Sequence, residues 1–156
     1  VTTPGPATLT HEALYREIVA IDRAEGRVFD GGATSLAMAK AMRARGWCGE
    51  FRWGYTLEEL VQALLAMGPV LMGTWWTDGM MEPDAEGVIR YRGARAGGHE
   101  YVVNGVNRAR GMIRLKNSWG RGWSRKGFAW IPFEDVERLI ADEGDVLIAR
   151  ELPPAR

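Results

Sequence analysis

Gly97-Gly98-His99-Glu100-Tyr101-Val102-Val103 and Leu115-Lys116-Asn117-Ser118-Trp119-Gly120-Arg121-Gly122-Trp123 are the two stretches whose reading decides the fold. Between them an apolar run to about Val106, a polar turn Asn107-Arg108-Ala109-Arg110-Gly111 and a second run from Met112 to Leu115 predict a β-hairpin. Folding antiparallel strands about Ala109 sets position 99 opposite position 118 or 119. Local geometry alone therefore brings the His99 imidazole beside the Asn117 carboxamide. A buried amide that accepts from one imidazole N–H fixes the tautomer and leaves the other nitrogen free as a base. Such a base serves a nucleophile, and the sequence holds one cysteine, Cys48.

Gly98-His99 and its apolar strand, Lys116-Asn117-Ser118-Trp119-Gly120, Gly122-Trp123 and Gly127-Phe128 together resemble the His/Asn half of papain-like cysteine peptidases. The resemblance implies that His99 is the base, that Asn117 orients it, and that Trp119 shields their contact from water, strengthening it in a lower dielectric. Two positions depart from the family pattern. Glu100 stands where a small apolar residue is usual, and Ser124 where glycine is usual. A carboxylate beside the imidazole is expected to raise its pKa. Leu9-Thr10 through Tyr15, Asp30-Gly31-Gly32, Gly46-Trp47-Cys48-Gly49-Glu50 and Met67-Gly68-Pro69-Val70 are similar, more weakly, to successive segments of bacterial members. The resemblance covers most of residues 9–131. In that register the family's nucleophilic cysteine, and the glutamine before it that builds part of the oxyanion hole, fall ahead of Val1. Residues 1–47 contain no cysteine, Gln62 is the only glutamine, and Cys48 matches a non-catalytic cysteine. The expectation is a papain-like domain without its N-terminal catalytic helix, inactive as an isolated chain. A start at Val1 rather than Met points to processing or trimming.

At 156 residues one domain is expected. Lys+Arg and Asp+Glu are both 20, so no global polyelectrolyte signal exists. Charge is uneven, however. Tyr101 to Phe133 contains no acid but includes Arg108, Arg110, Arg114, Lys116, Arg121, Arg125 and Lys126. This reads as a solvated basic face, with an acidic or phosphate-bearing partner as the sharper alternative; nucleic acid is not expected. One cysteine excludes a disulfide framework and a Cys-rich zinc site. Asp78, Glu82, Asp84 and Glu86 lack the spacing of a calcium loop, so neither cofactor nor metal is expected. No apolar stretch reaches membrane-spanning length. Residues 1–8 read as a flexible arm without signal-peptide character.

Helices are predicted from Thr10 to about Arg23 (Leu14, Ile18 and Ile21 on one stripe), from Thr34 to Arg45 (Leu36, Ala39 and Met42 inward), and from Leu57 to Met67 behind a Thr56/Glu59 capping box. Gly46 is expected to stop the second helix. Strands are predicted at about 70–76, 88–91, 100–106, 112–116, 128–131 and 146–149, with a helix from Phe133 to Ile140. Helices first and strands later indicate an α+β fold. It is expected as one domain over 9–156: a helical lobe at 9–67, then an antiparallel barrel-like lobe at 68–156, with the site between them.

Each candidate has a plainer reading. His99 reads as a satisfied buried histidine if taken alone, Asn117 as a turn residue, Trp119 and Trp123 as core. Ser35 is read as a first-turn capping residue rather than a nucleophile, and Cys48 as a half-buried inert thiol. Of Trp75 and Trp76, alternation sends one inward and one outward. Without the family's central helix, the apolar faces of the first two helices and residues such as Val70 and Met72 are expected to be exposed. A dimer, a partner chain or replacement by residues 10–24 would then cover them. Three functions stay open: a cysteine peptidase fragment or subunit whose nucleophile comes from an upstream segment or partner, a pseudopeptidase binding peptide or protein (for example in a phage-type particle), and a non-peptidase interaction domain.

Overall fold

A computed structural model describes residues 9–29 and 31–150 of the chain. The expected arm at 1–8 and Asp30 of the predicted turn lie outside them. Three threonines start three helices as the sequence leads one to expect. Thr10 accepts from the Ala13 amide ahead of α1 (His11–Ala24), and Thr34 from the Ala37 amide ahead of α2 (Ser35–Ala44). Thr56 and Glu59 form a complete capping box ahead of α3 (Leu57–Ala66). Strand β1 (Glu50–Gly54) precedes α3. After it come β2 (Val70–Thr77), the single turn α4 (Asp78–Met81), β3 (Arg95–Asn107), β4 (Met112–Lys116), β5 (Phe128–Pro132), α5 (Phe133–Ala141) and β6 (Asp145–Arg150).

The strands form one antiparallel sheet in the order β1-β6-β2-β3-β4-β5. It is open, not the expected barrel-like closure: among the strands of the described residues β1 pairs with β6 alone and β5 with β4 alone. Two strand expectations fail. Glu50–Gly54 is a strand, although its apolar and charged residues alternate over too few positions to stand out. Residues 88–91 make only an isolated bridge, Val88 to Trp130.

The main core fills one face of the sheet. Met72, Trp76, Tyr101, Val103, Ile113, Leu115 and Val146 pack against Leu60 and Val61 of α3 and against Val136 and Leu139 of α5. Val70 and Met72 are 4% and 1% exposed, which corrects the expectation that a missing helix would bare them. Their face is the one that α3 and α5 cover. On the other side α1 and α2 pair through a smaller cluster of Ile18, Ala37 and Ala41. The buried face of α2 is its alanines, not the expected Leu36 and Met42, which are half-buried. Small side chains let this helix lie close to both α1 and the sheet.

The fully buried part of that smaller cluster is two alanines and one isoleucine, with Leu14, Ile21, Ala33 and Met38 half-buried against them, and a fully buried Leu or Ile side chain is worth about 1.5–3 kcal/mol. Polar contacts add to this layer. Asp22, 1% exposed, accepts from the Thr34 amide, the Thr34 hydroxyl and Arg27 Nε, each at 2.7 Å, and so ties the end of α1 to the start of α2. Burial opposes ionisation of this carboxyl, but these donors outweigh it and hold its pKa below the usual value.

Candidate active site

The β3–β4 hairpin runs from Asn107↔Met112 to Val102↔Lys116, with a register shift between Val103 and Gly105. Past Lys116 the chain leaves the ladder, and the Asn117 amide donates to the Gly127 carbonyl at 2.9 Å. Gly127 has φ 89° and a Cβ there would sit 3.0 Å from the Gly120 carbonyl oxygen, so the turn closes only around glycine. This geometry presents the Asn117 side chain to β3. His99 Nε2 lies 2.9 Å from Asn117 Oδ1, and the Ser118 amide donates to the same oxygen at 2.7 Å. Two converging donors identify that atom as the acceptor. Nε2 therefore carries the hydrogen, and Nδ1 holds the free lone pair.

Aromatic rings enclose the imidazole. Trp76 meets His99 edge-on with ring centroids 4.7 Å apart, and Trp119 lies 5.0 Å away, tilted by 36°. Trp119 is itself 42% exposed, whereas Trp76 is 2% exposed. The better-buried neighbour is thus Trp76, which the sequence marks only as one of the Trp75/Trp76 pair. Alternation signalled one inward and one outward tryptophan without saying which. Thr74↔His99 register sets Trp76 on the imidazole's face of the sheet. Trp75 points the other way, donating to Glu143 Oε2 at 3.0 Å under the Arg95 guanidinium.

Burial lowers the His99 pKa, with the Asn117 hydrogen bond acting against it, so the ring is neutral at pH 7. The expected rise from Glu100 does not occur. Successive strand residues face opposite sides, and Glu100 turns toward α2 and β6 rather than toward the imidazole.

Between α1, α2 and the sheet lies a cleft of about 1080 Å³. His99, Asn117, Thr74 and Trp75 line it together with Ser35, Glu100 and Asp145. Such a volume corresponds to roughly two to three turns of α-helix at a diameter of about 10 Å. Cys48 is not among its walls; it is 1% exposed, more deeply buried than expected. Gln62 is exposed on α3 and bonds to Glu58. Ser35 caps nothing, since Thr34 has that role; its hydroxyl donates to Asp145 Oδ2 at 3.0 Å. On the basic face, Arg114 and Lys116 stack over Phe128, and Arg125 donates to the Ala85 carbonyl. Among the described residues no three His, Cys, Asp or Glu side chains gather as a metal site would require.

No protein-family model and no curated protein matches the chain. Solved structures do. Xylellain, a cysteine protease from Xylella fastidiosa, superposes with a TM-score of 0.71 at 16% identity, covering 90% of this chain and 70% of that one. Digestive procathepsin L 3 of the Tenebrio molitor larval midgut gives 0.62 at 16% identity, over 86% of this chain and 54% of that one. Procathepsin B S9 from Trypanosoma congolense gives 0.53 at 17%, over 67% and 37%. At such identities the likeness is one of fold: the chain has the mixed helix and antiparallel-sheet architecture of papain-like cysteine proteases, and it spans only part of each.

Proposed function

We propose that the chain supplies the base half of a papain-like cysteine peptidase, and that the nucleophilic thiol comes from outside these 156 residues, on a preceding segment or a partner polypeptide. The observation that carries this reading is the 2.9 Å contact between His99 Nε2 and Asn117 Oδ1 on the wall of an open cleft. His99 Nδ1 takes the proton of the incoming thiol. The thiolate attacks the peptide carbonyl carbon, and the imidazolium returns its proton to the leaving amine as the C–N bond breaks. Water then cleaves the thioester with His99 again as base. Asn117 holds the tautomer throughout, and Trp76 and Trp119 keep water from the contact.

Cys48 does not fit the nucleophile's role, because it is buried away from the cleft. The 156-residue chain by itself is therefore expected to cleave no peptide. The test is a fluorogenic peptide panel with a thiol-directed epoxide label, applied to the chain alone and to the chain with its upstream-encoded segment or co-purified partner. Turnover should appear only in the second case, be abolished by His99→Ala and survive Cys48→Ala. Turnover by the chain alone that disappears in Cys48→Ala would overturn the assignment.

A further inference from the structure

Position 73 is flanked on both sides by an acid. Gly73 pairs across one edge of β2 with Glu100 and across the other with Asp145. Directly opposed residues share a face of the sheet, so both side chains rise on the cleft side and lean over the glycine between them. A Cβ at Gly73 would come within 2.9 Å of Ser35 Oγ and 3.2 Å of Asp145 Oδ1. The missing side chain makes the room that the two carboxylates occupy.

This arrangement is under-satisfied. Glu100 Oε1 and Asp145 Oδ1 are buried and have no hydrogen-bond partner among the described residues. Ser35 donates to the other Asp145 oxygen, and its hydroxyl and the Gly73 backbone ease the two acids only in part. The remaining titratable groups lining the cleft are His11, Tyr15, His99, Tyr101, Lys116 and Glu143; none hydrogen-bonds to either acid, Tyr101 having Thr74 as its partner and feeling the Asp145 charge only at a distance. The same cleft holds an orphan of the opposite kind. Asn117 is 3% exposed, and its Nδ2 is a buried donor with no acceptor among the described residues. Unpaired buried polar groups are costly. Two sets of opposite polarity in one cleft describe a ligand that brings cationic donors to one place and a carbonyl oxygen to the other. A peptide with a basic side chain has both.

We propose that Glu100, Asp145 and Ser35, gathered over Gly73, form an anionic subsite on the cleft floor that takes the Lys or Arg side chain of a bound peptide. This rests on reading the cleft as a peptide site and adds the class of substrate. A guanidinium carries five donors in a fixed fork, suited to two carboxylates. Without a cation the pair relieves its repulsion by keeping a proton. Burial lifts the Glu100 carboxyl to about 7, with the Asp145 charge adding to the rise and Ser35 opposing it. Asp145 is raised as well, chiefly by burial. Glu100 therefore adds its charge, and its share of the selectivity for cations, only above neutrality.

The test titrates two capped tripeptides, Ala-Arg-Ala and its neutral citrulline counterpart, into the isotopically labelled chain at about pH 8, reading the Gly73 and Trp75 amide resonances. The arginine peptide should bind about tenfold tighter or better. That advantage should shrink severalfold at about pH 5.5, in Glu100→Gln and in Asp145→Asn, with binding of the citrulline peptide unchanged. The pH arm needs no variant and stands even if one misfolds. Equal affinities at about pH 8, no binding of either peptide, or an advantage undiminished at about pH 5.5 and in both variants would overturn the subsite. Failure of the peptidase reading looks different: the arginine preference in binding remains, while no supplied thiol produces turnover.

Discussion

At the scale of single residues, the hydrogen bond to Asn117 and the burial of His99 pull the imidazole in opposite directions, and burial prevails. A neutral ring with a defined tautomer results. Asn117→Ala should lose the Nε2-protonated preference, visible in the ring ¹⁵N shifts of His99. In the thiol-supplied protein it should lower kcat by about a hundredfold with KM little changed. Glu100 makes a separate prediction about stability. Its folded pKa of about 7 exceeds the ordinary 4.5, so between those values the native state binds more protons than the unfolded chain. Stability of the wild type should therefore fall as pH rises across that window. Glu100→Gln removes the dependence. Thermal melts should show the variant equal to wild type near pH 4 and more stable near pH 8, by on the order of 2 kcal/mol. The pairing of His99 with Asn117 was legible because a hairpin is a local structure: its turn residues and apolar runs sit within twenty positions. The Glu100–Asp145 pair was not, because it depends on β6 arriving from 45 positions away to lie beside β2.

Among the elements, those with their own start signal were read best. Thr10, Thr34 and Thr56 each mark a helix by a hydrogen bond the sequence itself encodes. Thr56→Ala should cost about 1 kcal/mol in chemical denaturation, since both halves of the capping box are formed. What packs against a helix is less local, and there the reading failed. The stripe Leu36, Ala39, Met42 looked inward by hydrophobicity, yet α2 is wedged between two neighbours and turns its smallest side chains to the tightest contact. The turn between α5 and β6 is another tight place. A Cβ at Gly144 would lie 2.4 Å from the Leu139 backbone oxygen, which cannot move without unravelling the end of α5. Gly144→Ala should accordingly destabilise by more than about 2 kcal/mol, measured by urea unfolding.

Over the whole molecule, two layers of unequal strength clasp the sheet. The α3/α5 side is held by a continuous apolar core, whereas the α1/α2 side relies on a smaller cluster with only Ile18, Ala37 and Ala41 fully buried, and on the Asp22 network. Asp22→Ala should cost about 2–3 kcal/mol, the range for losing hydrogen bonds to a charged group. Amide exchange should quicken in α1 and α2 well before it does in β3 or β4. On the proposed reading the thiol-bearing segment docks against α1 and α2 and braces that weaker layer, so its addition should raise the melting temperature in proportion to the logarithm of its concentration. The sheet order carries one more consequence. Strand β6, at residues 145–150, is inserted between β1 and β2, and among the described residues it is the only strand partner of β1. Residues 50–54 thus wait, during synthesis, for nearly a hundred more to emerge before they can join anything. Ribosome-stalled chains ending before residue 145 should leave this segment open to protease, and it should become resistant only once the last strand has cleared the exit tunnel.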